Sequence, residues 1–83
     1  MNDMKVAETD YSKHWGDEDD PASDWSLLCE KAPFAHKEIC EFILYVGAGQ
    51  HLKDYYKWGF SPILLLHCKR AQRAGYKYLC FHN

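Results

Sequence analysis

The stretch 50–75 constrains the fold more than any other part of this sequence, because it carries the start and stop signals of two helices. Apolar side chains mark one face of a first short helix at Leu52, Tyr55 and Tyr56. A glycine turn at 58–60 ends that helix. Ser61 precedes Pro62, which places a capping hydroxyl ahead of a proline at the first helical position. The second helix is predicted to run from Pro62 to the residue before Gly75, its left-handed terminator.

Two further helices are predicted upstream from the spacing of apolar residues. The first would begin at Asp20-Pro21 or at Ser23 and end before Pro33, with apolar residues at i, i+3, i+4 and i+7: Trp25, Leu28, Cys29 and Ala32. The second carries the strongest periodic signal, at i, i+4, i+7, i+8 and i+11: Ala35, Ile39, Phe42, Ile43 and Val46. The sequence therefore predicts a mainly α fold, a small bundle of about four short helices.

The two ends of the chain differ from this helical body. Residues 1–24 hold eight acidic and two basic side chains, whereas the rest of the chain holds four acidic and eight basic ones. We therefore expect an irregular, partly ordered acidic arm at 1–20 and a single helical domain at 21–83. The stretch 76–81 has the composition of a strand. We expect it to pack as an extended C-terminal tail, unless Lys5-Val6-Ala7 or another copy of the protein supplies a neighbouring strand.

The aromatic content points to contacts with other proteins. Aromatic residues make up 16% of the 83 residues, which is more than one small core encloses, so some rings are expected on the surface. An exposed apolar patch usually marks a site for a partner or for another copy of the chain. The first hypothesis is therefore a non-catalytic protein-binding regulator or inhibitor that acts on a host or cognate protein. A homodimer is compatible with the same composition.

The small size, the aromatic content and the lack of motifs are also typical of accessory proteins of phages and mobile elements, which act by binding a host factor. The residues expected to contact a partner fall into two groups. The first combines aromatic and basic side chains of the C-terminal third, since Tyr, Trp and Arg are enriched in binding hot spots: Tyr56, Trp58, Lys69, Arg70, Arg73, Tyr76 and Tyr78. The second is a charged loop that would meet a basic surface: Asp17, Glu18, Asp19 and Asp20.

A helix-turn-helix-like unit at 50–75 provides the main alternative, a small DNA-binding transcriptional regulator. Lys69, Arg70 and Arg73 would neutralise phosphates. However, recognition helices contact bases mainly through their N-terminal part, and here that part is the aliphatic run 62–66. Such a run is typical of a buried helix start, so DNA binding is the weaker hypothesis.

No catalytic motif stands out, and we expect neither enzyme activity nor a cofactor. The chain has no glycine-rich phosphate loop, G-x-S-x-G or H-E-x-x-H pattern. We also expect no metal, because the spacing C-x6-H-x3-C at 29–40 lacks the short cysteine pair of many structural zinc sites. A zinc-stabilised interaction module is the third hypothesis, and its ligands would be Cys29, His36, Cys40 and Cys68.

The sequence further predicts a cytoplasmic protein that does not enter a membrane. The first 24 residues contain no apolar run of the kind found in a secretory signal. No apolar run approaches the ~20 residues of a membrane span. Four cysteines in such a chain favour reduced thiols over disulfides.

Overall fold

A four-stranded mixed sheet brings the two ends of the chain together. The computed structural model describes residues 6–47 and 49–83. Within these residues the elements follow in chain order: β1 (Val6–Asp10), α1 (Asp24–Lys31), β2 (Phe34–His36), a short 3₁₀ helix (Lys37–Ile39), β3 (Glu41–Tyr45), α2 (Gly49–Trp58), α3 (Pro62–Arg73) and β4 (Tyr78–His82). No helix in this described part of the chain is long and apolar enough to cross a membrane.

The C-terminal strand β4 lies in the interior of the sheet, whose strand order is β1-β4-β3-β2. β1 pairs with β4 in parallel, with Val6 opposite Tyr78. β3 pairs with β4 in the antiparallel sense, with Phe42 opposite Phe81. β2 adds a short antiparallel strand to the other side of β3. The helix pair α2–α3 is therefore inserted between two strands that are neighbours in the sheet.

Alternation along the strands divides the sheet into two faces. One face carries buried residues of the central strands, namely Phe42, Leu44, Leu79 and Phe81. The three helices complete this core with buried residues of their own, among them Leu28, Tyr55, Leu64 and Cys68. The intervening strand residues lie on the opposite face, which we call the open sheet face; they include Glu8, Phe34, Ile43, Tyr45, Tyr78 and Cys80.

The predicted mainly α bundle of four short helices is wrong, because the stretch 35–46 forms two strands joined by a short 3₁₀ turn instead of one α-helix. Phe42, Leu44 and Val46 are fully buried, which is a period of two, whereas Ile39 of the predicted helical stripe is 56% exposed. Aromatic and β-branched side chains in this stretch favour a strand. Pairing with β4 supplies the backbone hydrogen bonds of β3. Because β4 is distant in the sequence, the local spacing of apolar residues cannot reveal this pairing.

The predicted irregular arm and extended tail are also corrected, because each contributes a strand to the sheet. β1 pairs with β4 over its whole length, and Tyr11, which follows β1, is fully buried. The sequence left this pairing open when it offered Val6 and Ala7 as neighbours for the C-terminal stretch. Residues 1–5 of the predicted arm, and Ala48, lie outside the described residues.

The predicted helix starts and stops are confirmed where capping residues indicated them. Of the two predicted starts of α1, Ser23 is correct and Asp20-Pro21 is not, since the Ser23 side chain caps the helix. Ser61 caps α3 in the same way. Pro62 lies in the first turn of α3, and Gly75 follows the helix with a φ of 89°. Capping signals act within one helical turn and need no distant partner. The helix ends were therefore predicted correctly although the predicted fold class was wrong.

Candidate docking groove

An open, largely apolar groove of about 770 Å³ runs between α2 and α3. Apolar side chains of both helices form most of its lining: Leu52, Tyr56, Pro62, Leu65 and Leu66. The remaining lining residues are long and polar: Lys53, Lys57, Lys69 and Gln72. We call this surface the α2–α3 groove.

A buried tyrosine fixes the orientation of α2 and turns its neighbour toward the groove. Tyr55 is 3% exposed, and its hydroxyl donates a hydrogen bond of 2.6 Å to the carbonyl oxygen of Tyr45 in β3. Burial raises the pKa of Tyr55 to about 12, so this donor keeps its proton at neutral pH. One step along a helix rotates the side chain by about 100°, and Tyr56 is accordingly 73% exposed.

A buried carboxylate fixes the start of α3. Asp24 in α1 accepts hydrogen bonds from the Ser61 N–H (2.9 Å) and from the Ser61 hydroxyl (2.5 Å). It also accepts one from the Tyr11 hydroxyl (2.6 Å). The Ser61 oxygen in turn caps α3 by accepting from the Leu64 N–H. The first turn of α3, which forms one end of the groove, is therefore anchored to two other segments of the chain.

The exposed side of α3 carries aliphatic side chains in contact with solvent. Leu64, Cys68 and Ala71 are buried and hold the helix on the core. Leu66 in the groove is 49% exposed, and Ile63, outside the groove lining, is 45% exposed. The aliphatic start of α3 is thus only partly buried, although the sequence suggested a buried one.

The charge of the groove is of one sign. Its three charged lining residues are all lysines, and all three are exposed: Lys53, Lys57 and Lys69. Within residues 6–47 and 49–83, none of them forms an ion pair. The groove therefore combines an apolar lining with exposed positive charge.

The structure brings two of the predicted contact residues, Tyr56 and Lys69, together in the groove. Trp58 lies elsewhere, at the end of α2. Its ring packs against Tyr55 at a centroid distance of 5.3 Å, and the Lys31 ammonium lies 5.3 Å from its centroid. Trp58 therefore connects α2 to α1 and does not line the groove.

Arg70 and Tyr76 line a smaller cleft between β1 and α3, which we call the β1–α3 cleft. Thr9 and His67 lie in the same cleft, and Thr9 Oγ1 is 2.9 Å from His67 Nδ1. Arg73 is exposed in the last turn of α3 and lines neither cavity.

Tyr78 belongs to a third location, the open sheet face, where its ring packs against Tyr45 at 5.3 Å. The sequence-predicted aromatic and basic residues are therefore spread over several surfaces and do not form one patch.

The predicted acidic contact residues Asp17, Glu18, Asp19 and Asp20 form an exposed loop. The loop is held by its own hydrogen bonds: Asp17 Oδ1 accepts from the Asp19 N–H and Asp20 Oδ1 from the Ala22 N–H, both at 2.9 Å. None of these acids lines the α2–α3 groove.

The candidate zinc ligands Cys29, His36, Cys40 and Cys68 are distributed over different elements. Cys68 is buried in α3, and burial raises its pKa to about 12. His36 lies in β2, with its Nδ1 3.7 Å from Glu38. Among the residues that the structure describes, no three His, Cys, Asp or Glu side chains are grouped to hold a metal ion. All four cysteines are unpaired thiols.

The sequence reasoning missed most of the groove, including Leu52, Lys53, Lys57, Leu65 and Leu66. A signal was present in α2, because Leu52 and Tyr56 repeat at i and i+4, and so do Lys53 and Lys57. These pairs form a second stripe beside the buried one. The sequence prediction put Leu52, Tyr55 and Tyr56 on one face, so it did not separate the buried Tyr55 from the exposed stripe that carries Tyr56.

Comparison with protein-family models, curated proteins and solved structures found no match to this chain.

Proposed function

We propose that this protein is a small non-catalytic regulator or inhibitor that binds a helical segment of a partner protein in the α2–α3 groove. The observation that carries the proposal is the groove itself, an exposed apolar surface between two anchored helices. Amphipathic helices bind apolar grooves by placing side chains at i, i+3, i+4 and i+7 against them. The groove extends along α3 from Pro62 to Gln72, about 15 Å at 1.5 Å per residue, or nearly three turns of a partner helix.

The apolar lining argues against DNA as the primary partner. Phosphates need cations and hydrogen-bond donors, whereas Leu66 and Ile63 in the N-terminal half of α3 offer exposed aliphatic surface. That surface would lose its hydration shell against a phosphate backbone without gaining an apolar contact. A protein helix buries such surface and gains free energy from it.

We also propose that the protein has no catalytic activity and acts in the cytoplasm. A cysteine nucleophile must reach its thiolate form, but burial raises the pKa of Cys68 to about 12 and that of Cys80 to about 11. Four unpaired thiols suit a reducing compartment.

Two aspartate substitutions on α3 test the groove. Leu66→Asp places a charge in the groove lining, whereas Ile63→Asp places one at a similarly exposed position of the same helix outside it. Helical peptides are first selected on the wild-type protein from a library of 16-residue amphipathic sequences. We expect the selected peptides to bind Ile63→Asp with nearly wild-type affinity and Leu66→Asp at least about tenfold more weakly, because a carboxylate in an apolar contact loses its solvation.

Both variants should keep the melting temperature close to that of the wild type, since both side chains are about half exposed. The proposal fails if the library gives no binders, or if the binders tolerate Leu66→Asp as well as they tolerate Ile63→Asp.

A further inference from the structure

We infer that the partner segment is acidic, with carboxylates on both sides of its apolar stripe, facing the lysines of the α2–α3 groove. This inference rests on the proposed function, since it specifies the chemistry of the helix that would occupy the groove. It starts from the lining, in which every charged side chain is a lysine. A helix with basic or neutral flanks would leave these ammonium groups unpaired or repelled.

The positions of the lysines specify where the acids should lie. Lys53 and Lys57 are one helical turn apart on α2, on the same face, whereas Lys69 lies on α3 across the groove. A helix lying along the groove would therefore present two acids at i and i+4 on the side of α2. It would present a further acid on the side of α3, with the apolar stripe between the two.

Anionic membranes and nucleic acids also attract lysines, but the shape and lining of the surface favour a peptide. Leu52 and Leu65 are half-buried between the helices, so they lie within a concave surface and do not protrude toward a bilayer. Insertion into a lipid interface buries an apolar face about 5–10 Å deep in the bilayer, and side chains inside a groove cannot reach that depth. Leu66 is exposed beside them, and it suits an apolar side chain of a partner helix better than a phosphate.

The experiment compares three 16-residue helical peptides with the same apolar stripe. The first carries glutamates on both flanks of the stripe, the second carries lysines there, and the third carries the same glutamates on the face opposite the stripe. They are titrated against the wild-type protein and against two triple variants. The groove variant is Lys53→Glu/Lys57→Glu/Lys69→Glu, and the control is Lys13→Glu/Lys37→Glu/Lys77→Glu, which changes the net charge equally at exposed positions outside the groove.

We expect the peptide with glutamate flanks to bind the wild type and the control variant, and to bind the groove variant about a hundredfold more weakly. Each reversal at an exposed pair should weaken binding by about three- to tenfold. The lysine-flanked peptide should show the opposite preference. The peptide with displaced glutamates should bind the wild type more weakly than the first, because its charges face solvent.

The outcomes separate this inference from the proposed function. If all three peptides bind equally well and Leu66→Asp abolishes their binding, the inference is overturned but the groove remains a docking site. Absence of binding by every peptide would overturn both. Phosphatidylserine vesicles and a mixed-sequence DNA duplex are titrated in parallel. The inference is also overturned if the vesicles or the duplex bind more tightly than the glutamate-flanked peptide, and if that binding is lost in the groove variant and kept in the control variant.

Discussion

At the scale of single residues, Asp24 connects segments that are far apart in the sequence. Its side chain is almost completely buried and accepts three hydrogen bonds, two from Ser61 and one from Tyr11. A buried carboxylate is tolerated only when such donors replace water. The same contacts hold the start of α3 and thereby one end of the groove.

Tyr11→Phe should destabilise the protein by about 1–3 kcal/mol, because it removes one donor from a buried carboxylate and leaves the ring in place. The free energy of unfolding, measured by denaturant titration, checks this. Tyr56→Phe is the matched control, since the Tyr56 ring is 73% exposed and its substitution should change the free energy by less than about 0.5 kcal/mol. Equal stability of the two variants would contradict the role given to Asp24.

His67 should make stability depend on pH. Its pKa is lowered below the usual 6.5 by burial first, then by His14 and Arg70. The Glu8 carboxylate lies on the open sheet face, with its Oε1 3.5 Å from His82 Nε2. Thr9 Oγ1 lies 2.9 Å from His67 Nδ1. The unfolded chain therefore binds this proton more readily than the folded one, so the stabilisation is complete above pH 6.5 and is lost as pH falls through the folded pKa.

Unfolding free energies measured at several pH values between neutral and mildly acidic conditions check this dependence. His67→Gln should flatten the curve just below pH 6.5. An unchanged slope in His67→Gln would refute the assignment.

At the scale of secondary-structure elements, the sequence predicted the three α-helices that the structure describes, but it also predicted a false helix over 35–46 in place of strands. α3 was predicted because Ser61, Pro62 and Gly75 are local signals. β1 and β4 come from opposite ends of the described chain, so the sequence offered their pairing only as an alternative to an extended tail. The apolar residues in the segment containing β3 are spaced as on one face of a helix. Only the pairing with β4 shows that buried residues alternate there with a period of two, as in a strand.

Neighbouring residues in β3 distinguish the strand from the predicted helix. Leu44 is fully buried, whereas Ile43 lies on the open sheet face and is half-buried. Leu44→Ala should cost about 2–5 kcal/mol of unfolding free energy, and Ile43→Ala should cost clearly less. The predicted helix had placed Ile43 on its apolar stripe and Leu44 off it, so the reverse order of the two costs would support that helix and contradict the sheet.

At the scale of the whole molecule, the groove is formed by a helix pair that connects, along the chain, two strands that are neighbours in the sheet. α2 leaves from the end of β3, α3 returns to β4, and β3 and β4 pair directly. The anchoring by Tyr55 and Ser61 adds two further attachments. We expect a helix pair attached in this way to keep the α2–α3 groove open without a partner, which would lower the cost of the proposed binding.

The candidate site could be predicted only in part. Tyr56 and Lys69 were identified from composition, because surface aromatics and cations are typical of interfaces. Leu66 was missed because an aliphatic run is usually buried, and its exposure follows from the way α3 lies on the core. The separation of Tyr78 and Arg70 from the groove is likewise a consequence of the sheet, which the sequence did not reveal.

Chemical-shift mapping is the measurement that tests the docking groove most directly. Amide spectra of the ¹⁵N-labelled protein are recorded during titration with the glutamate-flanked peptide. We expect the largest shifts within residues 52–57 and 65–72, the segments that line the groove on α2 and α3, with small shifts at Tyr78 and at Asp17–Asp20. Largest shifts on the open sheet face or in the acidic loop, with residues 52–57 unaffected, would contradict the assignment of the α2–α3 groove as the docking site.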